Sequence, residues 1–184
     1  MNKTCGLAAD FALVKDDGTR TIVSYDLEAV AGSDNANWRE VYFPKKQVAK
    51  PTIEQVKEAI IADINAQTDE KILTGFSWTP EGGEDISVYL SEENQRNFSE
   101  AQRIAADMPE VILPVTFKLG EQSDGTPIYH EFTTSEELTS FYLQAVQFIN
   151  AALAEGWARK DNIDWDAYAA ALDPTYTPKK KSKK

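Results

Sequence analysis

The spacing of apolar residues changes along the chain, from a strand-like period before residue 44 to a helix-like period after residue 51. Residues 6–26 contain two apolar-rich arms around Asp16–Asp17–Gly18, and an Asp-Gly pair between such arms is a strong turn signal. This pattern predicts a β-hairpin. Residues 27–43 are less regular and end in the apolar stretch Val41–Tyr42–Phe43.

Residues 44–51 have the sequence PKKQVAKP, with a proline at each end and no apolar period, which is typical of a linker. Beyond this segment Thr52 and Gln55 form a capping box, the reciprocal arrangement that begins many helices. Thr134 and Glu137 form a second capping box, and Ser91 is expected to cap another helix. Pairs of short apolar runs lie between these caps, and each pair predicts a hairpin.

The longest helical pattern follows Thr134. Its apolar residues keep the spacing of one helix face over about four turns, and they are Leu138, Phe141, Tyr142, Ala145, Phe148, Ile149, Ala152 and Leu153. Gly156 is expected to end this helix, because glycine favours the position just past a helix C-terminus. A short helix within NIDWDAYAAAL then leads into the lysine-rich end of the chain.

These elements predict an α+β fold, in which an N-terminal β-hairpin module precedes a domain of order α-ββ-α-ββ-α(-α). The predicted organisation is a β-hairpin docking module at 1–43, a linker at 44–51, an α+β domain at 52–173 and a Pro/Lys-rich tail at 174–184. A two-stranded hairpin alone is marginally stable in water, so the first module is expected to pack on the domain or on another chain.

The composition gives little material for catalysis. The 184 residues include one cysteine, Cys5, and one histidine, His130, so the sequence contains no cysteine pair for a disulfide or a metal site. Strand alternation predicts that His130 is half-buried and hydrogen-bonded. The carboxylates in DNIDWD, at 161, 164 and 166, lack the glycine and the final glutamate of a calcium loop and are expected to cap a helix. We expect no catalytic residue, metal or cofactor.

The charge distribution argues against nucleic acid as a partner for the body of the chain. The net charge is −11, although five of the 19 basic residues lie in the last six positions. An acidic body repels phosphate backbones. The basic tail consists of Lys179, Lys180, Lys181, Lys183 and Lys184. Two interpretations of it stay open: a solvated end that aids solubility, or a tether to an acidic partner surface or to packaged DNA.

Membrane insertion and export are not expected. No segment approaches the roughly 20 apolar residues that span a bilayer. The first residues, MNKTCGLAADFALV, make a poor secretory signal because their apolar stretch is short and broken. Synthesis in a cytoplasm is therefore expected.

Two groups of residues are candidates for contacts rather than for chemistry. Asn94, Gln95 and Asn97 lie in the first turns of a helix, where amides can donate hydrogen bonds to carbonyls at strand ends, and we expect them to specify the fold. Aromatic residues near the C-terminal end are candidates for partner binding, because Trp and Tyr are enriched at interfaces. These candidates are Trp157, Trp165, Tyr168 and Tyr176, together with the lysines of the tail.

Three short motifs occur in order along the chain. They are Gly75–Phe76 in the first predicted hairpin of the domain, Gln95–Arg96–Asn97 at a helix start, and FTTSEEL at 132–138, which opens the long helix. In this order they resemble an uncharacterised domain family of phage tail-fibre and other virion proteins, over about residues 51–160. The resemblance implies a virion protein. It carries over no catalytic residue, and it does not cover residues 1–43 or the tail.

The expected function is therefore structural. The chain is predicted to be a phage virion protein, made in the host cytoplasm, that attaches to or decorates a fibre, tail or head as a protein–protein adaptor. Its expected partners are other phage structural proteins, and homo-oligomerisation stays open. One alternative is a fibre-assembly chaperone that is absent from the mature particle. Another is a carbohydrate-binding module, which would need surface aromatic residues along a groove. An enzyme is not expected.

Overall fold

The computed structural model describes residues 3–178 and has the predicted α+β fold. The strands are β1 (Lys3–Leu7), β2 (Val14–Asp16), β3 (Arg20–Ala29), β4 (Asn35–Pro44), β5 (Phe76–Trp78), β6 (Ile86–Val88), β7 (Val115–Glu121) and β8 (Pro127–Phe132). The helices are α1 (Ile53–Thr74), α2 (Glu92–Asp107), α3 (Pro109–Ile112), α4 (Ser135–Asp161) and α5 (Trp165–Leu172). The predicted order of helices and hairpins from α1 onward is present, with α3 as an additional short helix.

The N-terminal region contains more than the predicted hairpin. β2 and β3 form that hairpin, and Asp17 Oδ1 accepts hydrogen bonds from the N–H groups of Thr19 and Arg20 at its turn, each at 2.9 Å. All four strands, however, join one antiparallel sheet in the order β1-β4-β3-β2. The register of β3 against β4 shifts between Tyr25 and Glu28. Such a bulge interrupts the alternation of apolar and polar positions, which is why the sequence pattern hides this second hairpin.

The chain divides into two compact units. Among the described residues, the sheet unit comprises 3–65 and 158–178, and the hairpin unit comprises Ala66–Trp157. Residues 45–52 contain neither helix nor strand. The first part of α1 and residues of α5 share a core with the sheet, while the predicted linker at 44–51 and domain at 52–173 stay predictions. The role of residues 1–43 as a docking module stays a prediction.

The core of the sheet unit lies between the four-stranded sheet and the helices α1 and α5. From α1, Val56, Ile60 and Ile64 recur every four residues and are fully buried, which is the spacing of one helix face. They pack with Val23 and Tyr25 of β3. Two residues of α5, at 168 and 172, complete this cluster. The predicted need of the N-terminal strands for a packing surface is therefore met within the chain.

The core of the hairpin unit is built from aromatic rings. Phe141, fully buried on α4, lies with its ring centroid 4.9 Å from that of Trp78, and 5.0 Å from those of Phe98 and Phe132. These partners come from β5, α2 and β8. The apolar stripe predicted for the long helix is thus confirmed as a packed face, and it joins both hairpins to α2.

Gly156 does not end the long helix, contrary to the prediction. α4 continues to Asp161, and Gly156 is buried within it. A Cβ atom at this position would lie 2.5 Å from Thr68 Oγ1 on α1. The glycine is therefore needed for the close approach of two helices rather than for a helix end.

Hydroxyl side chains begin the helices as predicted. Gln55 N–H donates to Thr52 Oγ1 at 3.3 Å, and Thr52 N–H donates to Gln55 Oε1 at 2.9 Å, so the capping box of α1 is reciprocal. Ser91 Oγ accepts a backbone N–H of the first turn of α2 at 3.2 Å. Thr134 Oγ1 accepts the N–H of Glu137 at 3.2 Å ahead of α4. Local sequence thus sets where these three helices start.

Gly75 ends α1 and lets β6 pass close by. Its N–H donates to the carbonyls of Lys71 at 3.3 Å and Ile72 at 3.0 Å, and its φ is 81°, in the left-handed region that glycine adopts most easily. A Cβ atom here would overlap the carbonyl oxygen of Val88 in β6. Both the conformation and the space therefore require glycine.

Gly75→Ala is expected to destabilise the protein by at least about 3 kcal/mol, because left-handed strain adds to the overlap with a backbone atom. Gly82→Ala is the matched control. Gly82 also has a positive φ, 71°, but a Cβ there would meet no atom within 4 Å, so a loss of about 1 kcal/mol from strain alone is expected. Urea unfolding measures both losses. Equal losses would show that β6 does not pack against Gly75.

Phe141→Ala is expected to lower the free energy of unfolding by about 3–5 kcal/mol, through lost burial and the cavity left behind. Phe148, on the same helix, is half-buried and stacks on Phe76 with centroids 5.8 Å apart. Phe148→Ala is therefore expected to cost less. Denaturant unfolding of the two variants tests this order, and a larger loss at Phe148 would place the centre of the core elsewhere.

Candidate functional site

A pocket of about 410 Å³ opens in the sheet unit beside the bulge of β3. This volume is in the range of ordinary ligand sites, which are concave, mostly apolar, and supplied with a few converging polar groups. The lining residues are Phe11, Leu13, Tyr25, Asp26, Leu27, Arg159, Asn162, Ile163, Asp164, Ala167 and Tyr168. They come from the segment before β2, from β3, from the end of α4, and from α5 with the loop before it. The fold thus brings distant parts of the sequence together here.

The bulge itself forms one wall of the pocket. Asp26 has a φ of 54°, a left-handed conformation that is uncommon for residues other than glycine. Its carboxylate is held by the guanidinium of Arg159, whose Nε lies 3.0 Å from Asp26 Oδ2 and whose NH2 group contacts the same oxygen. Both side chains are about a quarter exposed, at 26% and 23%. The ion pair fixes the bulge and places Leu27 at the rim.

The inner end of the pocket is formed by two tyrosines. Tyr168 is 4% exposed, and its hydroxyl donates to the carbonyl of Ser24 at 2.8 Å. Burial, with a smaller contribution from the nearby Asp26 carboxylate, raises the pKa of Tyr168 to about 12. Tyr25 is also buried and donates its hydroxyl to Asp63 on α1. The polar groups at this end are therefore engaged with the protein itself.

Around the ion pair of Asp26 and Arg159, the pocket is lined by apolar side chains with a few polar ones. Leu27 is 50% exposed, while Phe11, Leu13 and Ile163 are half-buried. Asp164 also lines the pocket, and it caps α5 by accepting hydrogen bonds from two backbone N–H groups. An apolar side chain matches this arrangement, because the walls offer apolar contact, whereas Asp26 is paired with Arg159 and Asp164 caps α5.

The structure places the predicted partner-binding aromatics in different environments. Trp157, in the hairpin unit, is 57% exposed. Trp165 is half-buried in the sheet unit, and Tyr176 donates its hydroxyl to Asp166 at 2.7 Å. Tyr168 is a core residue, so it faces the inside of its unit rather than a surface. The predicted tail lysines at 179–181, 183 and 184 lie outside the described residues, and partner binding by this group stays a prediction.

Two amides of α2 donate hydrogen bonds to the segment before the helix, and the fold-specifying role of Asn94, Gln95 and Asn97 stays a prediction. Asn94 Nδ2 donates to the carbonyl of Tyr89 at 3.0 Å, and Gln95 Nε2 donates to the carbonyl of Leu90 at 2.7 Å. Both carbonyls belong to the segment that follows β6, so the two amides fasten that segment to the helix. Asn97 is exposed and, within the described part of the chain, forms no such clamp.

His130 has the half-buried, hydrogen-bonded environment predicted for it. Its Nε2 lies 2.9 Å from Glu137 Oε1, and its ring packs edge-on against Trp78 with centroids 4.8 Å apart. Glu137 was expected to complete a capping box with Thr134, but its carboxylate lies against the histidine instead. Cys5 is exposed on β1 of the sheet unit.

Neither a metal cluster nor a membrane span occurs in the part of the chain that the structure describes. Between residues 3 and 178, no three His, Cys, Asp or Glu side chains converge as ligands for a metal ion. In the same range, every helix is too short or too polar to cross a bilayer.

Sequence reasoning missed the residues that shape the pocket. Asp26 and Leu27 stand in a segment whose alternation is broken by the bulge, and this break was the only available signal. Arg159 carries no local signal at all, because its partner Asp26 lies 133 positions earlier in the chain.

Comparison with known proteins identifies the family. The fold is α+β, with a candidate binding pocket in its sheet unit. The family model of a domain of unknown function, DUF4376, matches residues 55–177, and the chain belongs to this family. The match supplies no link to phage tail-fibre proteins. No curated protein and no solved structure matches the chain.

Tyr168→Phe is expected to change how stability depends on pH. The phenol has a pKa of 10.0 when unfolded and about 12 when folded. The contribution of the buried, neutral phenol to the free energy of unfolding is therefore fully present below pH 10. It falls by about 2–3 kcal/mol as the pH rises towards 12. The variant loses a hydrogen bond, worth about 1 kcal/mol, at pH 8. Its stability should then decline less steeply above pH 10.

Urea unfolding at a series of pH values tests this prediction. Wild type and variant share every other titrating group, so only the difference between the two curves is diagnostic. Parallel curves between pH 10 and 12 would show that the hydroxyl is not desolvated in the folded protein.

Proposed function

We propose that the chain is a protein–protein adaptor, and specifically a phage virion structural protein that attaches to or decorates a fibre, tail or head. The observation that carries the adaptor role is the pocket beside the bulge of β3. Apolar walls, an exposed leucine at the rim and a fixed ion pair suit the anchoring side chain of a partner protein. Buried anchors of this kind supply most of the affinity of many interfaces.

Two features favour a protein partner over a small metabolite. Leu27 is half-exposed at the rim, so apolar contact continues outward from the pocket onto the surface. The polar groups at the inner end are already paired, as Tyr168 is with Ser24, which leaves few donors to orient a small polar ligand. A partner that inserts one apolar side chain gains burial without having to break these hydrogen bonds.

The virion setting rests on a different argument. The ordered motifs at 75–76, 95–97 and 132–138 resemble those of phage tail-fibre and other virion proteins. Under this proposal the partners are other phage structural proteins, and the chain is made in the host cytoplasm before assembly. The net charge of −11 favours a partner with a basic surface, because complementary charges speed encounter. The tail lysines remain candidates for contact with an acidic surface or packaged DNA.

Leu27→Ser tests the adaptor proposal in purified phage particles. A leucine in a buried contact contributes about 2 kcal/mol, so incorporation of this variant is expected to fall by about tenfold or more. Leu73→Ser is the matched control, because Leu73 has a similar exposure of 49% but belongs to the hairpin unit and is not among the residues that line the pocket. Thermal melts of both variants establish that they fold.

Quantitative mass spectrometry of the particles gives the result. The adaptor proposal is supported if particles contain the wild-type protein and the Leu73→Ser variant but have lost the Leu27→Ser variant. Wild-type protein absent from particles but bound to a fibre protein in infected cells would favour the fibre-assembly chaperone. Equal incorporation of the two variants would remove the pocket from the interface.

A further inference from the structure

The hairpin unit carries a second concave surface with different chemistry. A groove of about 750 Å³ runs between α2 and α4. Its polar lining consists of Gln102, Ser135, Thr139, Ser140, Gln144 and Gln147. Glu136 is the one charged residue among those that line it, although 27% of the chain is charged. A neutral, hydrogen-bonding surface of this size is therefore unusual for this protein.

A smaller pocket of about 420 Å³ continues the groove at one side. The two share Glu136, Ser140 and Gln144, so these residues stand at the junction. The smaller pocket adds the edge of the buried Trp78 and the carboxylates of residues 81 and 137. Together the two form one continuous surface, with amides and hydroxyls along the groove and carboxylates at one end.

We propose that this surface binds a neutral oligosaccharide. Sugar hydroxyl groups both donate and accept hydrogen bonds. Amide side chains offer two donors and an acceptor, and Ser and Thr hydroxyls offer both functions, so the lining matches such a ligand group by group. The surface lacks the exposed aromatic residues that line many sugar sites, since the one aromatic among its lining residues, Trp78, is 3% exposed. Leu143, 52% exposed in the groove, provides the apolar contact for the C–H face of a sugar ring instead. The proposal does not depend on the adaptor role of the sheet unit.

Other ligand classes fit this surface less well. A helical peptide docks through a row of apolar anchors, whereas Leu143 and Ala106 are the only apolar residues among those lining the groove. An extended peptide adds to a free strand edge, and the groove is walled by helices. Nucleic acids and acidic sugars need basic groups, and the lining of both pockets contains carboxylates and no basic residue.

Part of the lining is already held in place by the protein. Ser135 Oγ donates to the carbonyl of Ala105 at 2.9 Å, which joins the start of α4 to α2. Gln102 Nε2 lies 3.5 Å from Thr139 Oγ1 across the groove. Gln144 and Gln147, in contrast, are exposed and one helical turn apart on α4. These two amides are therefore the residues whose change tests binding with least effect on the fold.

A glycan array probed with the full-length labelled chain tests the proposal. The array holds neutral oligosaccharides alongside acidic ones, and calorimetry then measures the dissociation constant of the neutral glycan bound best. Gln144→Glu and Gln147→Glu keep the shape of the side chain but replace amide donors with a carboxylate. Each is expected to weaken binding by about fivefold or more, because a hydrogen-bond donor to the sugar worth about 1 kcal/mol is lost. Gln122→Glu carries the same change on the exposed turn between β7 and β8 and is expected to leave binding unchanged.

Several results would overturn the proposal. The first is that wild-type protein binds no glycan on the array. The second is a preference for acidic over neutral glycans. The third is that both groove variants bind the glycan as tightly as wild type does. The fourth is that Gln122→Glu weakens binding as much as the groove variants do. Circular dichroism melts confirm that each variant is folded, and having two groove variants keeps the test decisive if one of them does not fold. Because every variant lies in the hairpin unit, failure here is distinguishable from failure of the adaptor proposal, which rests on Leu27.

Discussion

The ring of Phe141 is the contact on which the hairpin unit depends. It projects from α4 and meets rings from β5, α2 and β8, all at centroid distances of 4.9–5.0 Å. Short two-stranded hairpins such as β5–β6 and β7–β8 are marginally stable alone. Each becomes stable here because an aromatic residue at its inner face is buried against the same ring. The long apolar stripe of α4 therefore organises the unit around one point.

The sheet unit depends on a different feature, the bulge in the middle of strand β3. The bulge leaves Asp26 in a left-handed conformation, which costs energy unless the surroundings fix it. The guanidinium of Arg159 and the core around Tyr25 provide that support. Bulges commonly re-aim side chains next to binding sites. The combination of an unusual backbone conformation, a partly buried ion pair and an adjoining pocket is the reason for placing the candidate site there.

Local signals in the sequence predicted most of the fold. The hydroxyl caps at Thr52, Ser91 and Thr134, the turn at Asp16–Gly18 and the stripe of α4 each depend on residues a few positions apart, and each is present. The second N-terminal hairpin was missed because its bulge breaks the alternation on which strand prediction depends. Gly156 was misassigned because a glycine at a helix crossing and a glycine at a helix end look the same in sequence.

The candidate sites were less predictable for the same physical reason. Arg159 and Asp26 lie 133 residues apart, and the groove joins Gln102 to residues near 140, so only the fold reveals either. Sequence reasoning instead favoured Trp and Tyr, which are enriched both in cores and at interfaces. Tyr168 shows the consequence, because its preference for a half-apolar, half-polar environment is satisfied inside the protein. Composition identifies such residues but does not show whether they are buried or exposed.

The hydrogen-bonding chemistry of the groove limits how tightly a single chain can bind a sugar. Each hydrogen bond to a neutral sugar replaces one to water, so its net contribution is small, about 1 kcal/mol. Open, amide-lined surfaces therefore give weak binding from a single site. Display of many copies on one particle raises the overall affinity by about 10²–10⁴ without any new contact, provided that the copies can engage together. Under the two proposals together, the pocket would hold several copies of the chain on one particle, and each copy would present one weakly binding groove. The adaptor role would then supply the avidity that sugar recognition by one chain lacks.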